Sequence, residues 1–277
     1  MKYIVCLLFL IQIKNCKSET LQSSDVASDK VVVADKTVPR NEMINAVDQK
    51  SVGEKIQDKE KIKHLNRSLK SSMDREIERP YMWDIFVESN SELIQYYQYK
   101  DFTIGGNRFR SYYIKIKYED ANYQAIMLIN EDLNTEYNAL LIYEELSAEE
   151  KYQRTAEIQD DKIQISFKGP SAVQNLVFQA KNGLFLDFFD DQEIDKKWGE
   201  KGKNDVSEYE LKGKTKNHLK NGYWIEKKYS MEYGKNIIED GNYTDGQKTG
   251  DWNYSVEGPV DMIKTFDKGK SVKTSYP

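Results

Sequence analysis

Residues of the types that carry out catalysis are few in this chain. The 277 residues include only two histidines, His64 and His218, and two cysteines. A Ser-His-Asp site would have to use one of these histidines, yet His64 lies on a predicted helix and His218 in a lysine-rich loop, where solvated side chains are expected. The sequence has no glycine-rich phosphate loop, His-Glu-x-x-His helix or EF-hand spacing. It therefore favours a protein that is not an enzyme and that needs no cofactor.

One cluster of carboxylates has the residue types of a cation site. Asp187, Asp190 and Asp191 follow a predicted hairpin, and hard cations such as calcium bind carboxylate oxygens. A solvated strand end is the commoner origin of such a cluster. These three aspartates are therefore weak candidates for metal ligands.

Adjacent glutamates offer a different chemistry, that of a carboxylate-based hydrolase. Glu144-Glu145 and Glu149-Glu150 would need a partner carboxylate at the separation that glycoside hydrolysis requires. Five nearby tyrosines could instead line a ligand platform, although packing between strands is their more common role: Tyr96, Tyr97, Tyr99, Tyr112 and Tyr113. A small-ligand carrier or hydrolase with its pocket in residues 81–204 is therefore the alternative function.

The first 18 residues have the layout of an export signal. Met1-Lys2 precedes an apolar run from Tyr3 to Ile13, and a polar boundary follows. The run is shorter than the ~20 apolar residues that span a bilayer. Two outcomes stay open, since Cys16 resembles the lipidated cysteine of a bacterial lipoprotein signal, whereas cleavage near Ser18 would release a free protein. Residues 1–18 are thus predicted to be a signal peptide, with Cys16 as the lipidation candidate.

The next segment, residues 19–80, has the composition of a polar tether. It is rich in Ser, Asp, Lys, Glu and Gln, and such a stretch buries too little apolar surface to offset its ordering entropy. Apolar residues recur at spacings of three and four between Ile62 and Ile77, which predicts an amphipathic helix over 60–79. Packing of this helix on its own domain is expected more than binding to a partner.

Residues 81–204 are predicted to form an antiparallel β domain. Side chains alternate between apolar and polar along Arg110–Tyr118 and again around Ile163–Phe167, as expected for half-buried strands. Asn182-Gly183 between two apolar runs is a strong hairpin signal. Ser89–Lys100 is a helix candidate, and residues 187–204 are expected to be a linker that ends at a domain boundary near residue 204.

Residues 205–277 contain a weak internal repeat. Lys220-Asn221-Gly222-Tyr223-Trp224 is echoed 28 positions later by Lys248-Thr249-Gly250-Asp251-Trp252. Asp245-Gly246 favours a tight hairpin turn. A single short hairpin cannot bury its face alone, so stacked hairpins are expected. The overall fold class is therefore mainly β, with an antiparallel β domain, a small module of stacked β-hairpins and a partly helical or disordered N-terminal tether.

The repeat resembles the variant MORN repeats of bacterial proteins over about residues 209–270. The pattern aromatic-x-x-Gly-x-x-x-Gly-x-Trp is carried by Tyr243, Gly246, Gly250 and Trp252. The resemblance implies antiparallel hairpins in an elongated sheet that acts as an interaction module. Trp224, Tyr243, Trp252 and Tyr254 are the candidate interaction residues if they form an exposed strip; if they are buried, they only support the scaffold.

The charge distribution excludes some classes of partner. The net charge is -5, and residues 81–200 carry 12 basic and 22 acidic side chains. Nucleic-acid binding is therefore not expected, because phosphates need a basic stripe, and the lysines are expected on the solvated surface. We expect an exported protein of the periplasm, outer membrane or extracellular space that binds a protein partner through the repeat and meets a membrane only through a lipid anchor.

Overall fold

Two antiparallel β-sheets and one α-helix make up the described part of the chain. The computed structural model describes residues 41–75, 87, 90–118, 121–147, 151–168, 173–197, 209–230, 235–256 and 258–277. The predicted fold class, mainly β with an antiparallel domain followed by stacked hairpins, is confirmed. The predicted signal peptide with Cys16, residues 19–40 of the predicted tether and the boundary near residue 204 lie outside the described residues.

The first sheet is curled into a half-barrel. Within the described residues it contains ten strands, in the order β10-β9-β8-β7-β6-β5-β4-β2, with β1 paired to β7 and β3 to β4. The strands are β1 (Glu42–Ile44), β2 (Gln95–Gln98), β3 (Phe102–Ile104), β4 (Asn107–Tyr118), β5 (Ala121–Ile129), β6 (Ala139–Ser147), β7 (Lys151–Gln159), β8 (Lys162–Lys168), β9 (Val173–Lys181) and β10 (Leu184–Asp187).

The centre of the first sheet is buried on both faces. Ala125–Ile129 in β5 and Ala139–Ile142 in β6 are each 0% exposed, which explains why these strands read as continuous apolar runs instead of alternating ones. The curl brings the two ends of the sheet near each other. The rings of Phe109 in β4 and Phe185 in β10 consequently lie 4.4 Å apart. The hydrophobic core of this sheet therefore lies inside the curl.

The helix α1 (Lys59–Arg75) closes one side of this core. Its apolar stripe is buried at Leu65, Leu69 and Met73, and the helix packs against β6. The amphipathic helix predicted for 60–79 therefore packs on its own domain; residues 76–79 lie outside the described ones. The helix predicted for Ser89–Lys100 is wrong, because a 3-10 turn at Ser91–Leu93 and strand β2 occupy that segment.

The second sheet, here called the hairpin sheet, is a meander in which every strand pairs with the next. Its strands in the described residues are β11 (Glu193–Lys197), β12 (Tyr209–Lys216), β13 (Leu219–Ser230), β14 (Lys235–Thr244), β15 (Gln247–Ser255), β16 (Val260–Asp267) and β17 (Lys270–Ser275). The expectation of a linker is wrong for β11, which pairs with β12. Its charged residues hide a strand in which Ile194 is buried.

Two-residue turns set the register of the hairpins. Asp245-Gly246 has φ of 47° and 80°, and Lys268-Gly269 has 47° and 74°, the positive values that a type I′ turn needs. Asn182-Gly183 has φ of 53° and 76° and joins β9 to β10. The hairpins predicted at Asn182-Gly183 and Asp245-Gly246 are therefore confirmed.

Two tryptophans of the hairpin sheet lie on glycines of the preceding strand. A Cβ atom at Gly213 would meet the Trp224 indole at 2.1 Å, and one at Gly241 would meet the Trp252 indole at 2.5 Å. Both contacts are far inside van der Waals distance. The two glycines are 28 residues apart, and so are the two tryptophans. Each repeat unit therefore has a glycine at the position where a side chain would collide with the indole.

Adding one methyl group at Gly241 is expected to destabilise the protein. Gly241→Ala should lower the free energy of unfolding by about 1–3 kcal/mol, because the Trp252 ring has to move out of a well-packed position. Urea denaturation of the purified protein measures this change. Gly258→Ala is the control, since nothing lies within 4 Å of a Cβ at Gly258, and equal effects of the two substitutions would contradict the packing argument.

Candidate functional site

A row of aromatic rings fills the inner face of the hairpin sheet. Ring centroids are separated by 5.6 Å from Phe189 to Trp224, 6.0 Å from Trp224 to Tyr243, 5.0 Å from Tyr243 to Trp252 and 6.4 Å from Trp252 to Phe266. The last three pairs meet edge to face, a favourable geometry for aromatic rings. We call these five residues the aromatic row.

A buried lysine lies against each tryptophan of the row. Lys220 is 2% exposed, and its Nζ lies 2.8 Å from Asp187 Oδ2 and 2.6 Å from Glu226 Oε1. The same ammonium lies 5.3 Å from the centre of the Trp224 ring and 5.0 Å from that of Tyr243. The positive charge of Lys220 is therefore stabilised by two carboxylates and by two aromatic rings.

The second lysine repeats this arrangement one unit later. Lys248 is 5% exposed, and its Nζ lies 2.6 Å from Glu239 Oε2. Its distances to ring centres are 4.4 Å for Trp252 and 5.3 Å for Phe266. Because Glu226 and Glu239 face each other across β13 and β14, each lysine also neutralises one member of a buried pair of like charges.

Electrostatics keep both ammonium groups charged. Burial by itself lowers the pKa of a lysine, but Asp187 and Glu226 outweigh it and raise the pKa of Lys220. For Lys248, burial is likewise outweighed by Glu239 and Glu136, so its pKa lies well above the ordinary value. The interior of the hairpin sheet is therefore an ionic and aromatic core.

The four residues predicted to contact a partner are part of this core or next to it. Trp224, Tyr243, Trp252 and Tyr254 are 0%, 4%, 0% and 6% exposed. Trp224 and Trp252 also donate their indole N–H groups to backbone carbonyls, at 3.0 Å and 3.1 Å. The structure thus places them where they support the scaffold, and no exposed aromatic strip forms from them.

The expectation that the lysines are solvated is wrong for Lys220 and Lys248. Composition alone could not separate them from the other lysines, because ordinary lysines stay at the surface. A signal was nevertheless present, since each lysine precedes its tryptophan at the same spacing in both repeat units. A lysine that repeats together with a core tryptophan indicates a shared environment.

The aspartates predicted as metal candidates are not gathered into a site. The Asp187 carboxylate accepts from Lys220, whereas Asp190 and Asp191 are exposed. Across the described residues, no group of three or more His, Cys, Asp or Glu side chains could hold a metal ion. Asp187 is therefore a counter-ion of the core.

Glu144 is tied into the core of the first sheet. It is 0% exposed, and its carboxylate contacts Arg154 Nη1 at 3.2 Å and accepts from the Tyr123 hydroxyl at 2.6 Å. Its neighbour Glu145 accepts from Tyr143, while Glu149 and Glu150 lie outside the described residues. Glu144 thus holds strands together and faces no cleft.

The tyrosines predicted as a platform are distributed over several environments. Tyr96 and Tyr112 are buried and donate to Asn66 and Glu131. Tyr113 donates to Gln124, and Tyr97 packs against the Tyr113 ring at 5.7 Å. These contacts are packing between strands. They do not form one ligand platform.

The two histidines lie in ordinary structural environments. His218 forms a turn with φ of 65°, and its Nδ1 lies 2.8 Å from the Phe189 carbonyl oxygen. His64 is half-buried on α1. Neither is hydrogen-bonded to a nucleophilic side chain within the described residues.

The outer face of the hairpin sheet is polar and well ordered by side-chain contacts. The Asp240 carboxylate accepts from the Tyr223 hydroxyl at 2.8 Å and from the Asn253 amide at 2.9 Å. Thr265 donates to Asp251 at 2.6 Å. Tyr223 is 56% exposed, so this face presents polar groups and the Tyr223 ring to solvent.

The edges of the first sheet are covered by other segments. Outside β2, Gly53 donates to Gln98 O at 2.9 Å and Ile56 to Tyr96 O at 2.8 Å. At β10, the Phe185 N–H donates to Tyr137 O at 2.9 Å. These bonds satisfy backbone groups that would otherwise offer a template for another strand.

Strand β17 has an uncovered edge. Among the described residues it pairs with β16 alone, and Val272 in its middle is 56% exposed. Lys270, Lys273 and Thr274 beside it are also exposed. The pairing register shifts between Thr265 and Phe266, so Val272 has no partner in β16. The outer side of the last strand therefore pairs with no described strand, and an apolar side chain and positive charges lie along it.

Comparison with known proteins adds no relative. No protein-family model, no curated protein and no solved structure matches the chain. In the part of the chain that the structure describes, no helix has the length and apolar character needed to cross a membrane.

Removing one buried lysine is expected to be costly. Lys248→Met should lower the free energy of unfolding by about 3–5 kcal/mol, because it leaves the Glu239 carboxylate buried without its cation. The double variant Lys248→Met with Glu239→Gln should recover a large part of this loss. Chemical denaturation of both variants measures the two values.

The exposed Lys216 provides the matched control. Lys216→Met should change the unfolding free energy by no more than about 0.5 kcal/mol. If Lys248→Met is tolerated as well as Lys216→Met, the ammonium of Lys248 does not compensate a buried charge.

Proposed function

We propose that this chain is a non-enzymatic binding protein whose hairpin sheet recognises a protein partner by pairing with strand β17. The open edge of β17 is the observation that carries the proposal. An extended peptide can add to such an edge through backbone hydrogen bonds, and side chains of alternate residues then supply specificity. The partner is thus a protein segment in an extended conformation.

The rest of the hairpin sheet supports this mode of binding. Its inner face is filled by the aromatic row, and the two buried lysines fix that row in place. The sheet can therefore present its edge without losing its own core. A rigid edge reduces the ordering entropy that binding would otherwise cost.

Charge defines the chemistry of the partner segment. Residues 260–277 contain four lysines and two aspartates, and Lys273 flanks the exposed Val272 in β17. Lysine on an edge disfavours pairing between two copies of the same strand. An acidic strand with an apolar residue opposite Val272 is the complementary occupant.

The proposed location follows from the first residues of the sequence. A signal peptide at 1–18 would export the protein, and lipidation at Cys16 would anchor it by one end. The 28-residue repeat of glycine and tryptophan supports a relation to variant MORN repeats, as proposed from the motif, with an interaction role for the module.

Site-specific photocrosslinking tests the proposal. A photoreactive amino acid in place of Val272 should form an adduct with one protein in the native cells, and the crosslinked peptide should map to an acidic extended segment. The same group in place of Met43 is the control, because Met43 is 57% exposed and Val272 56%. Val272 should give the adduct and Met43 should not.

Charge reversal provides the second arm of this experiment. Lys273→Glu should reduce the adduct by about tenfold or more, whereas Lys216→Glu in β12 should leave it unchanged. Equal adducts from positions 272 and 43, or an adduct that Lys273→Glu does not reduce, would show that β17 is not the binding edge.

A further inference from the structure

A surface cleft of about 230 Å³ lies between α1, the loop before β6 and the start of β17. Helix α1 contributes His64, Arg67 and Ser68, and β17 contributes Lys270 and Ser271. The cleft therefore lies between the helix and loop that pack with the first sheet and the last strand of the hairpin sheet. Groups that donate hydrogen bonds form most of its lining.

Two cations of this cleft have no carboxylate partner among the described residues. Neither Arg67 nor Lys270 forms an ion pair there, although both are exposed and face the same space. Glu136 also lines the cleft, but its Oε2 lies 3.8 Å from Lys248 Nζ. The negative charge of Glu136 is thus drawn toward the core of the hairpin sheet.

A little-exposed hydroxyl lines the same cleft. Ser68 is only 4% exposed, and no described residue accepts a hydrogen bond from its hydroxyl. The hydroxyl is therefore available to donate to an acceptor atom bound in the cleft.

We propose that this cleft binds a phosphate group, either as inorganic phosphate or as a phosphate monoester. The Arg67 guanidinium provides a planar pair of donors that suits phosphate oxygens, and Lys270 adds a point charge. Ser68 and Ser271 supply hydroxyl donors to the remaining oxygens. This site uses Lys270 and Ser271 at the start of β17, whereas the peptide-binding proposal uses Val272 and Lys273 further along the same strand.

The ring of His64 is a local reporter for the site. Burial, Lys61 and Arg67 lower the pKa of His64, and Glu131 opposes them. Lys61 itself is bound to Glu131, so Arg67 is the nearby cation that remains available to a ligand. A bound phosphate should therefore raise the pKa of His64.

Nuclear magnetic resonance of the His64 ring in the full chain tests the site. Titration with inorganic phosphate should give a saturable shift with a Kd of about 1 mM or tighter, and sodium chloride at equal ionic strength should not reproduce it. Methyl phosphate in a parallel titration distinguishes the two sources, because only a site open to monoesters binds it equally well.

Two variants of α1 complete the test. Arg67→Gln should weaken phosphate binding by about tenfold or more, whereas Lys63→Gln, an exposed change on the same helix, should not. A shift that fails to saturate, that chloride reproduces, or that Arg67→Gln and Lys63→Gln affect equally means an adventitious ion only and overturns the site. Crosslinking at Val272 would be unaffected by either variant, so the two proposals fail separately.

Discussion

The hairpin sheet depends on two ammonium groups that are held inside it. Lys220 and Lys248 each lie between aromatic rings and carboxylates. Without these cations, Glu226 and Glu239 would face each other across adjacent strands as buried like charges. Without the rings, the ammonium groups would lack part of the environment that offsets their desolvation. The charges and the rings are therefore one interdependent core.

This core has consequences at the edge of the sheet. The hydroxyl of Tyr137, in the loop before β6, accepts from the Lys248 backbone N–H at 3.3 Å, and the Gly269 carbonyl accepts from the Glu136 N–H at 3.2 Å. The loop before β6 thus contacts the turn that leads into β17. Backbone contacts cover the outer strands of the first sheet but not the outer side of β17. The anchored turn therefore positions β17, which pairs with β16 on one side and with no described strand on the other; β11 forms the opposite edge of this sheet.

Much of the fold could be predicted from the sequence because its signals are local. The turn at Asp245-Gly246 and the strand over Arg110–Tyr118 depend on neighbouring residues, and both are present. The half-exposure predicted for that strand is wrong at Ser111 and Tyr113, which are buried. β11 was missed because its charged side chains resemble a linker, whereas its pairing with β12 is a contact between distant residues. The buried state of Trp224 and Lys248 also depends on distant contacts, so the residue types left an exposed strip and a buried scaffold both open for the tryptophans and indicated solvated lysines. The edge of β17 could not be predicted, since an edge is defined by strands that do not cover it.

Backbone amide hydrogen exchange of the unmodified protein tests most directly whether a sealed core and an open edge coexist in the hairpin sheet. The account predicts that amides of β13, β14 and β15 exchange slowest, because the aromatic row and its lysines hold these strands. Amides of β17 should exchange faster than those of β13, β14 and β15. Exchange in β17 as slow as in β14 would contradict the account, because it would mean that the last strand is already covered.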